Sequence, residues 1–438
     1  MGEHVLHLPW GKEQISLTLP ESWHLAATLE PASLPGVADT AGQVRRSLGE
    51  PIGSPRLREL ARAGAKVAVV IDDVSRPTPV ALILPAVLEE LAQAGVLRED
   101  VTLVAALGVH RPMREDEMAQ RVGGALDGLR WENHDCHDPE RLAFLGTTQR
   151  GTRVLVNKTV AQADLVVSIG SIEPHLIASF GGGYKNLIPG VAGRETVAHN
   201  HALNCRPDTF NMVGQPIERN PMRLDLEEGC KMLSMPVYIV NTVLNNALQV
   251  VRIVSGDPIA AHREGVKVSA GIYGVPVPAP ADLVIADSHP MDQDLRQGSK
   301  ALANTIWAVR PGGVQIVLMR ALDGLGVFGL AQRRLPLGRS GLKRLSPLLV
   351  RVVPRLKLRG MPDDERFFLY FALQAMRHCT LLVYAPTIPA EARAGLPFVE
   401  FVETPEEAIA KAARLLSHQT EVLAFPHGGM TYPILFGK

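Results

Sequence analysis

The sequence predicts an α/β fold: two α/β domains with mainly parallel sheets and the site in the cleft between them. Three observations predict it. Short apolar strands alternate with helical stretches, the pattern of a parallel sheet covered by helices. The stretch YGVPVPAPA, Tyr273 to Ala281, is dense in proline and interrupts the pattern, which then restarts. At 438 residues the chain is also too long for one ordinary core. The expected division is an N-terminal domain over 1–272, a linker over 273–281 and a smaller C-terminal domain over 282–438. Roughly the last 20 residues are candidates to pack back on the N-terminal domain.

The first elements, HVLHL and ISLTL, alternate apolar and polar residues and suggest a hairpin turning at Gly11-Lys12. Leu57 to Ala65 is a plausible helix running into the buried strand KVAVVIDD. A helix is expected from Val80 to Gly95, followed by the strands VTLVAALG, DLVVSIG and PVYIVNTVL. Beyond the proline-rich stretch come strand DLVIADS, a helix from Asp294 to Val309, a turn at Gly312-Gly313 and strand VQIVLMR. Strand CTLLVYAP and a helix from Pro405 to Ser417 complete the second set. Ligands of such sheets usually sit at the loops following the strand C-termini.

Composition narrows the function classes. Hydrophobic content is 46% and net charge is zero, so nothing global points to nucleic acid. Cys136, Cys205, Cys230 and Cys379 are scattered without a CxxC pair, as expected in a reducing cytoplasm and not in a structural zinc site. No basic-then-apolar leader opens the sequence, and no apolar run approaches the roughly 20 residues of a membrane span. The expectation is a soluble cytoplasmic protein. Arg333 to Arg359 stands apart, with nine Lys or Arg and no acid. The plain reading is a solvated helical excursion; steering of an anionic substrate and contact with a membrane surface are the sharper ones.

Four loops carry unusual polar residues. In IDDVSRPTP, Arg76 offers a fork to an anion, and Asp73 is placed to bind a ribose hydroxyl or to hold that arginine. The competing reading makes Ser75 or Thr78 a helix cap. In LGVHRP, His110 follows a strand and is a candidate acid or base. In EPHLIASFGGGYK, His175 and Lys185 flank Gly181, Gly182 and Gly183, which let the backbone approach something bulky or negative. A flexible turn is the plainer account of that run. In ETVAHNHA, His199 and His201 diverge if the segment is helical, so at most one belongs to a site. In DQDLRQGSK, Arg296 and Lys300 share one helix face with Gln297 beside them, which suits an anion or a solvated face. HDCHD, His134 to Asp138, is metal-like in composition but has no second ligand pair.

Taken in order, DDVSRPTP, LGVHRP, EPH…FGGGYKNLIPG, ETVAHNH and DQDLRQGSK resemble the lactate racemase family, nickel-pincer-nucleotide-dependent 2-hydroxyacid racemases and epimerases, along almost the whole chain. The resemblance implies nickel and a pyridinium-3,5-bisthiocarboxylic acid mononucleotide, bound covalently or in contact at Lys185. It implies His201 as the nickel ligand, His110 and His175 as acid/base residues, and Asp73 and Arg76 near cofactor and substrate. Gly181, Gly182 and Gly183 would line the cofactor, and Gln297 and Lys300 would contact substrate. Arg296 is a departure, because the family's lactate enzymes typically carry tyrosine there. An added guanidinium suits a second carboxylate or several hydroxyls, so lactate, a malate-like dicarboxylate and a sugar acid all remain open.

The resemblance further implies a small-molecule 2-hydroxy acid substrate, cofactor-biosynthesis proteins as partners, and no nucleic acid. An α-hydrogen beside a carboxylate is too weakly acidic for simple proton abstraction. Hydride transfer to a cofactor through a 2-keto acid avoids that problem, with two histidines alternating as base and acid. The alternatives are a zinc- or iron-dependent hydratase or hydrolase using His175 and His201, and a non-catalytic nucleotide-binding protein.

Overall fold

The computed structural model describes residues 4–326, 337–355 and 363–435. The chain is α/β and forms two compact units, each assembled from separated stretches. One comprises Ser33–Leu203 and Pro216–Ile272; the other comprises Met1–Ala32, Asn204–Gln215 and Tyr273–Lys438. For brevity these are the first and second units.

The chain begins in the second unit. Strands β1 (His4–Trp10) and β2 (Glu13–Leu19) form the expected hairpin, turning at Gly11 with φ of +71°, and β3 (Trp23–Thr28) follows. The first unit then supplies β4 (Val67–Asp72), β5 (Val101–Ala106), β6 (Arg130–Asn133), the antiparallel pair β7 (Leu142–Thr147) and β8 (Arg153–Asn157), and β9 (Leu165–Ser171). A short hairpin of β10 (Pro174–His175) and β11 (Ser179–Phe180) precedes β12 (Val237–Leu244) and β13 (Val250–Gly256). Its six-stranded sheet runs β13-β12-β9-β4-β5-β6, parallel except for the β12–β13 pair. Every residue of β4 and β9 is buried, which is why both read as unbroken apolar runs. Helices α1 (Thr40–Gly49) and α2 (Val80–Gln93) pack Val44, Leu48, Ile83, Leu84 and Val87 against one face of this sheet. The helix expected over Leu57 to Ala65 stops at Leu60.

The second unit continues with β14 (Gly274–Val277), β15 (Ala281–Asp287), β16 (Val309–Leu318), β17 (Thr380–Tyr384), β18 (Glu400–Val402), β19 (Thr420–Phe425) and β20 (Tyr432–Leu435). Its six-stranded sheet, β18-β17-β16-β15-β19-β3, is wholly parallel.

The expected domain boundaries are therefore revised. Residues 1–32 belong with the C-terminal stretch, because β3 pairs in parallel with β19, and Leu6, Leu8, Leu17 and Trp23 share a core with Leu283, Ile285 and Val422. The stretch 204–215 joins the same unit: Asn211 donates to the Ala303 carbonyl at 2.5 Å, and Phe210 packs on Trp307 with ring centres 5.1 Å apart. The expected linker holds β14, paired with β20, so its prolines fit a two-stranded edge and the chain's end packs within the second unit. In the basic stretch, Arg339–Val352 is helical, with Lys343, Arg344 and Arg351 exposed as a solvated face requires; 333–336 and 356–359 lie outside the described residues. No helix among the described residues is long and apolar enough to cross a membrane.

Candidate functional site

Three loops of the first unit follow strand C-termini and converge, as open parallel sheets favour. Asp73 and Arg76 lie in the loop after β4, His110 follows β5, and Glu173 and His175 follow β9. His110 Nδ1 and Asp73 Oδ2 are 2.6 Å apart. Asp73 Oδ1 accepts from the backbone N–H and the hydroxyl of Ser75, at 2.9 and 2.5 Å. Burial works to raise the Asp73 carboxyl, but His110, Ser75 and Arg76 outweigh it and hold it well below the usual carboxylate range. A carboxylate only accepts, so Nδ1 of His110 carries a proton, and in the neutral ring the lone pair lies on Nε2.

This reassigns Asp73, expected to bind a ribose or hold Arg76. Arg76 instead donates to Glu173 Oε1 at 2.7 Å, while Ser171 donates to Glu173 Oε2 at 2.9 Å. Sequence reasoning missed Glu173; the available signal was a carboxylate at a strand end, fixed in extended backbone by Pro174. Neither Ser75 nor Thr78 caps α2. Ser75 serves Asp73, and Thr78 donates to Asp72, which Arg121 also pairs.

The glycine run is packed against protein. Gly181 N–H donates to the Glu173 carbonyl and Gly183 N–H to Asn241 Oδ1, each at 2.7 Å. A Cβ at Gly182 would meet Ile172 and Asn241 at 2.6 and 2.8 Å; one at Gly183 would meet Arg223 at 2.6 Å. The amides of Gly181 and Gly183 are therefore spent on protein acceptors. Close approach is needed, but by neighbouring side chains. Arg223, fully buried, donates to the Gly182 carbonyl at 3.1 Å and is held by Glu227 at 2.9 Å.

Lys185 follows this loop. Burial pulls its ammonium down to about 7; Arg76 and Arg223 push the same way, while Glu173 and Asp73 oppose it. An amine about half neutral near pH 7 is nucleophilic, which an ordinary lysine is not. His175 sits in the β10–β11 hairpin, where its Nδ1 accepts from the N–H groups of Ile177 and Ala178 at 3.2 and 3.1 Å.

Helix α3 (Glu115–Val122) is followed by α4 (Arg194–Ala202), which carries both histidines of HNH and is helical as its sequence suggests. Its His199 Nδ1 bonds Thr152 Oγ1 at 2.8 Å, and His201 leaves the helix in another direction, half-buried. In HDCHD, buried His134 spends Nε2 on the Ala192 carbonyl at 3.0 Å. Among the described residues no group of three His, Cys, Asp or Glu is placed to hold a metal.

Helix α5 (Pro221–Cys230) holds Arg223 in the first unit. In the second unit α6 (Leu295–Thr305), capped by Asp294, presents the other expected residues. Arg296 lies over the Phe368 ring at 5.9 Å, and the Lys300 ammonium is 3.6 Å from the Met291 sulfur. Among the described residues Oε1 of Gln297 is buried without a hydrogen-bond donor, a costly state unless a ligand or water serves it.

A family description, the lactate racemase N-terminal domain, matches residues 10–211. The chain is 29% identical over 328 residues to the lactate racemase of Thermoanaerobacterium thermosaccharolyticum, covering 74% of this chain and 76% of that one. It is 25% identical over 388 residues to the lactate racemase of Lactiplantibacillus plantarum, covering 88% and 89%. In fold it is similar to the lactate racemase apoprotein of T. thermosaccharolyticum, with TM-score 0.83, 24% identity and coverage of 98% and 100%. A Thermotoga maritima protein is similar with TM-score 0.67, 16% identity and coverage of 92% and 100%.

Proposed function

Because the chain belongs to the lactate racemase family, we propose that it is a racemase or epimerase, an isomerase inverting C2 of a 2-hydroxy acid. The observation that carries this reading is the 2.6 Å His110–Asp73 pair beside the Arg76–Glu173 pair. It sets a base with a free lone pair next to a guanidinium that suits a carboxylate.

The proposed cofactor is a nickel-bearing pyridinium bisthiocarboxylate nucleotide, and the residues present fit it. The near-neutral amine of Lys185 suits attachment to a thiocarboxyl group, and the buried Oε1 of Gln297 lacks a hydrogen-bond donor among the described residues that a ligand would supply. By its match to the family's motif, His201 would supply the chain's nickel ligand. When bound, such a group supplies the hydride acceptor that no side chain provides, so that inversion passes through a 2-keto acid.

The chain's own residues do the rest. His110 and His175 manage the hydroxyl proton, Asp73 fixes the His110 tautomer, and Arg76 holds the substrate carboxylate. Gln297, Lys300 and Arg296 add substrate contacts, with Arg296 reading a second polar or anionic group. The zinc or iron hydratase alternative draws no support from the donor set among the described residues. The test incubates cofactor-loaded protein with enantiopure 2-hydroxy acids and follows optical rotation and exchange of the α-hydrogen. Interconversion of one of them is expected; turnover by zinc-loaded protein with loss of water instead overturns the reading.

A further inference from the structure

Helix α3 holds both loops that form the His110–Asp73 pair. At its C-terminal end Arg121 reaches the loop after β4 with all three of its side-chain nitrogens. Nη1 donates to the Arg76 carbonyl at 2.9 Å, Nε donates to the Asp72 carbonyl at 3.2 Å, and Nη2 pairs with the Asp72 carboxylate. The other Asp72 oxygen accepts from the Thr78 hydroxyl at 2.5 Å. The two carbonyls bracket the turn from Asp73 to Arg76, so one guanidinium spans the segment that carries both site residues. The Arg121 and Asp72 side chains are only 10% and 7% exposed. Burial raises the Asp72 carboxyl to about 6 even with Arg121 and Thr78 pulling it down, so Asp72 stays ionised near neutrality only beside a cation.

The same helix holds the loop after β5. Glu117, one turn before Arg121, accepts from Nη1 and Nη2 of Arg111 at 2.8 and 2.6 Å and from the Arg114 backbone N–H at 2.9 Å. Arg111 directly follows His110. Asn133, at the end of β6, fixes Met113 in the same loop, donating to its carbonyl at 2.8 Å and accepting from its N–H at 3.0 Å. The two loops therefore share one support. Asp73 and His110 meet at 2.6 Å, and a shift of either loop by about 1 Å would break that bond. A planar fork can hold two carbonyls and a carboxylate at once in fixed geometry, which a single ammonium cannot.

We propose that Arg121 is a positioning residue for the inversion: by spanning the turn from Asp73 to Arg76 it sets both the contact between Asp73 and His110 and the aim of Arg76. The inference rests on the racemase reading above. Arg121 acts only through the loop, on proton transfer by way of Asp73 and on carboxylate binding by way of Arg76. Its loss should therefore appear in kcat and in KM together. A residue of α3 that serves stability alone should move neither.

The direct test is proton NMR of the protein without cofactor. A ring proton held between Nδ1 of His110 and the Asp73 carboxylate resonates far downfield of the amides, and its loss in His110→Gln assigns it. Arg121→Lys keeps a cation beside Asp72 but cannot span the two carbonyls, so this resonance should move upfield or disappear by exchange. Met118→Ala, wholly buried on the same helix, should lower the melting temperature and leave the resonance in place. An Arg121→Lys resonance unchanged from wild type overturns the proposal, and so does one displaced equally by Met118→Ala. If Arg121→Lys does not fold, Asp72→Asn/Arg121→Gln carries the same expectation, because two amides replace the ion pair without leaving a buried charge. In cofactor-loaded protein, Arg121→Lys should lose about 10²-fold in kcat/KM, divided between a lower kcat and a higher KM. A loss below about twofold overturns the positioning role. If loaded wild type interconverts no 2-hydroxy acid, the racemase reading fails while the resonance still decides what Arg121 holds.

Discussion

Nη1 of Arg76 donates to Oε1 of Glu173 at 2.7 Å, with the two side chains only 21% and 11% exposed. The pair joins residues 97 positions apart and aims a guanidinium that would otherwise have many rotamers. Glu173→Gln keeps the shape and removes the charge that orients Arg76. KM for the 2-hydroxy acid should rise about tenfold, or ~1.4 kcal/mol, with a smaller change in kcat. Steady-state kinetics check this split.

Asp73→Asn should be far more damaging than its size suggests. Ser75 N–H needs an acceptor, so the amide oxygen turns to Ser75 and the NH2 faces His110. That imposes the wrong tautomer and leaves Nε2 protonated. A fall in kcat of about 10²–10⁴ is expected, with KM little changed. A variant within a few-fold of wild type would remove His110 from the base role.

The Lys185 amine should titrate near neutrality. Its folded value is about 7 against the ordinary 10.5. Between those values the unfolded chain holds a proton that the folded chain does not, so stability rises with pH across that window. Lys185→Met should flatten this rise in denaturation curves at pH 7 to 10. Trace acylation of Lys185, read by mass spectrometry, should reach half its maximal rate near pH 7.

Gly183→Ala tests whether the glycine run serves packing. Gly183 has φ of +61°, and a Cβ there would lie 2.6 Å from Arg223 and 3.0 Å from the Pro258 carbonyl. Backbone strain alone should cost about 1–3 kcal/mol, with more from displacing Arg223. A thermal melt indistinguishable from wild type would return the run to the status of a loose turn.

Arg296→Tyr should shift substrate preference toward lactate and away from larger or dianionic 2-hydroxy acids. Competition assays comparing kcat/KM for lactate and malate give the ratio; an unchanged ratio means Arg296 does not read the substrate's far end.

Much of the fold was legible because strand and helix patterns are local. The unbroken apolar runs of β4 and β9 announce a sheet buried on both faces. The same rule hid β3, which alternates in burial as an edge strand does, and its partner β19 lies almost 400 residues away by the His24–Glu421 bond. The proline-dense stretch misled because an edge strand tolerates prolines that a central strand does not. At the site, residue types at strand ends were visible, but their partners were not.

The sequence by itself determined that this is an α/β chain and that Asp73, Arg76, His110, His175 and Lys185 stand in loops after strands or beside glycines. Periodicity and turn chemistry are properties of neighbouring residues, so one dimension suffices for them. Tertiary structure alone decided that Asp73 serves His110 while Glu173 serves Arg76, and that Arg121 spans the turn carrying Asp73 and Arg76. It also decided that β3 completes the second unit's sheet. Those choices depend on which buried donor finds which acceptor. Burial makes an unmade hydrogen bond costly, and only the packed chain brings the partners within reach.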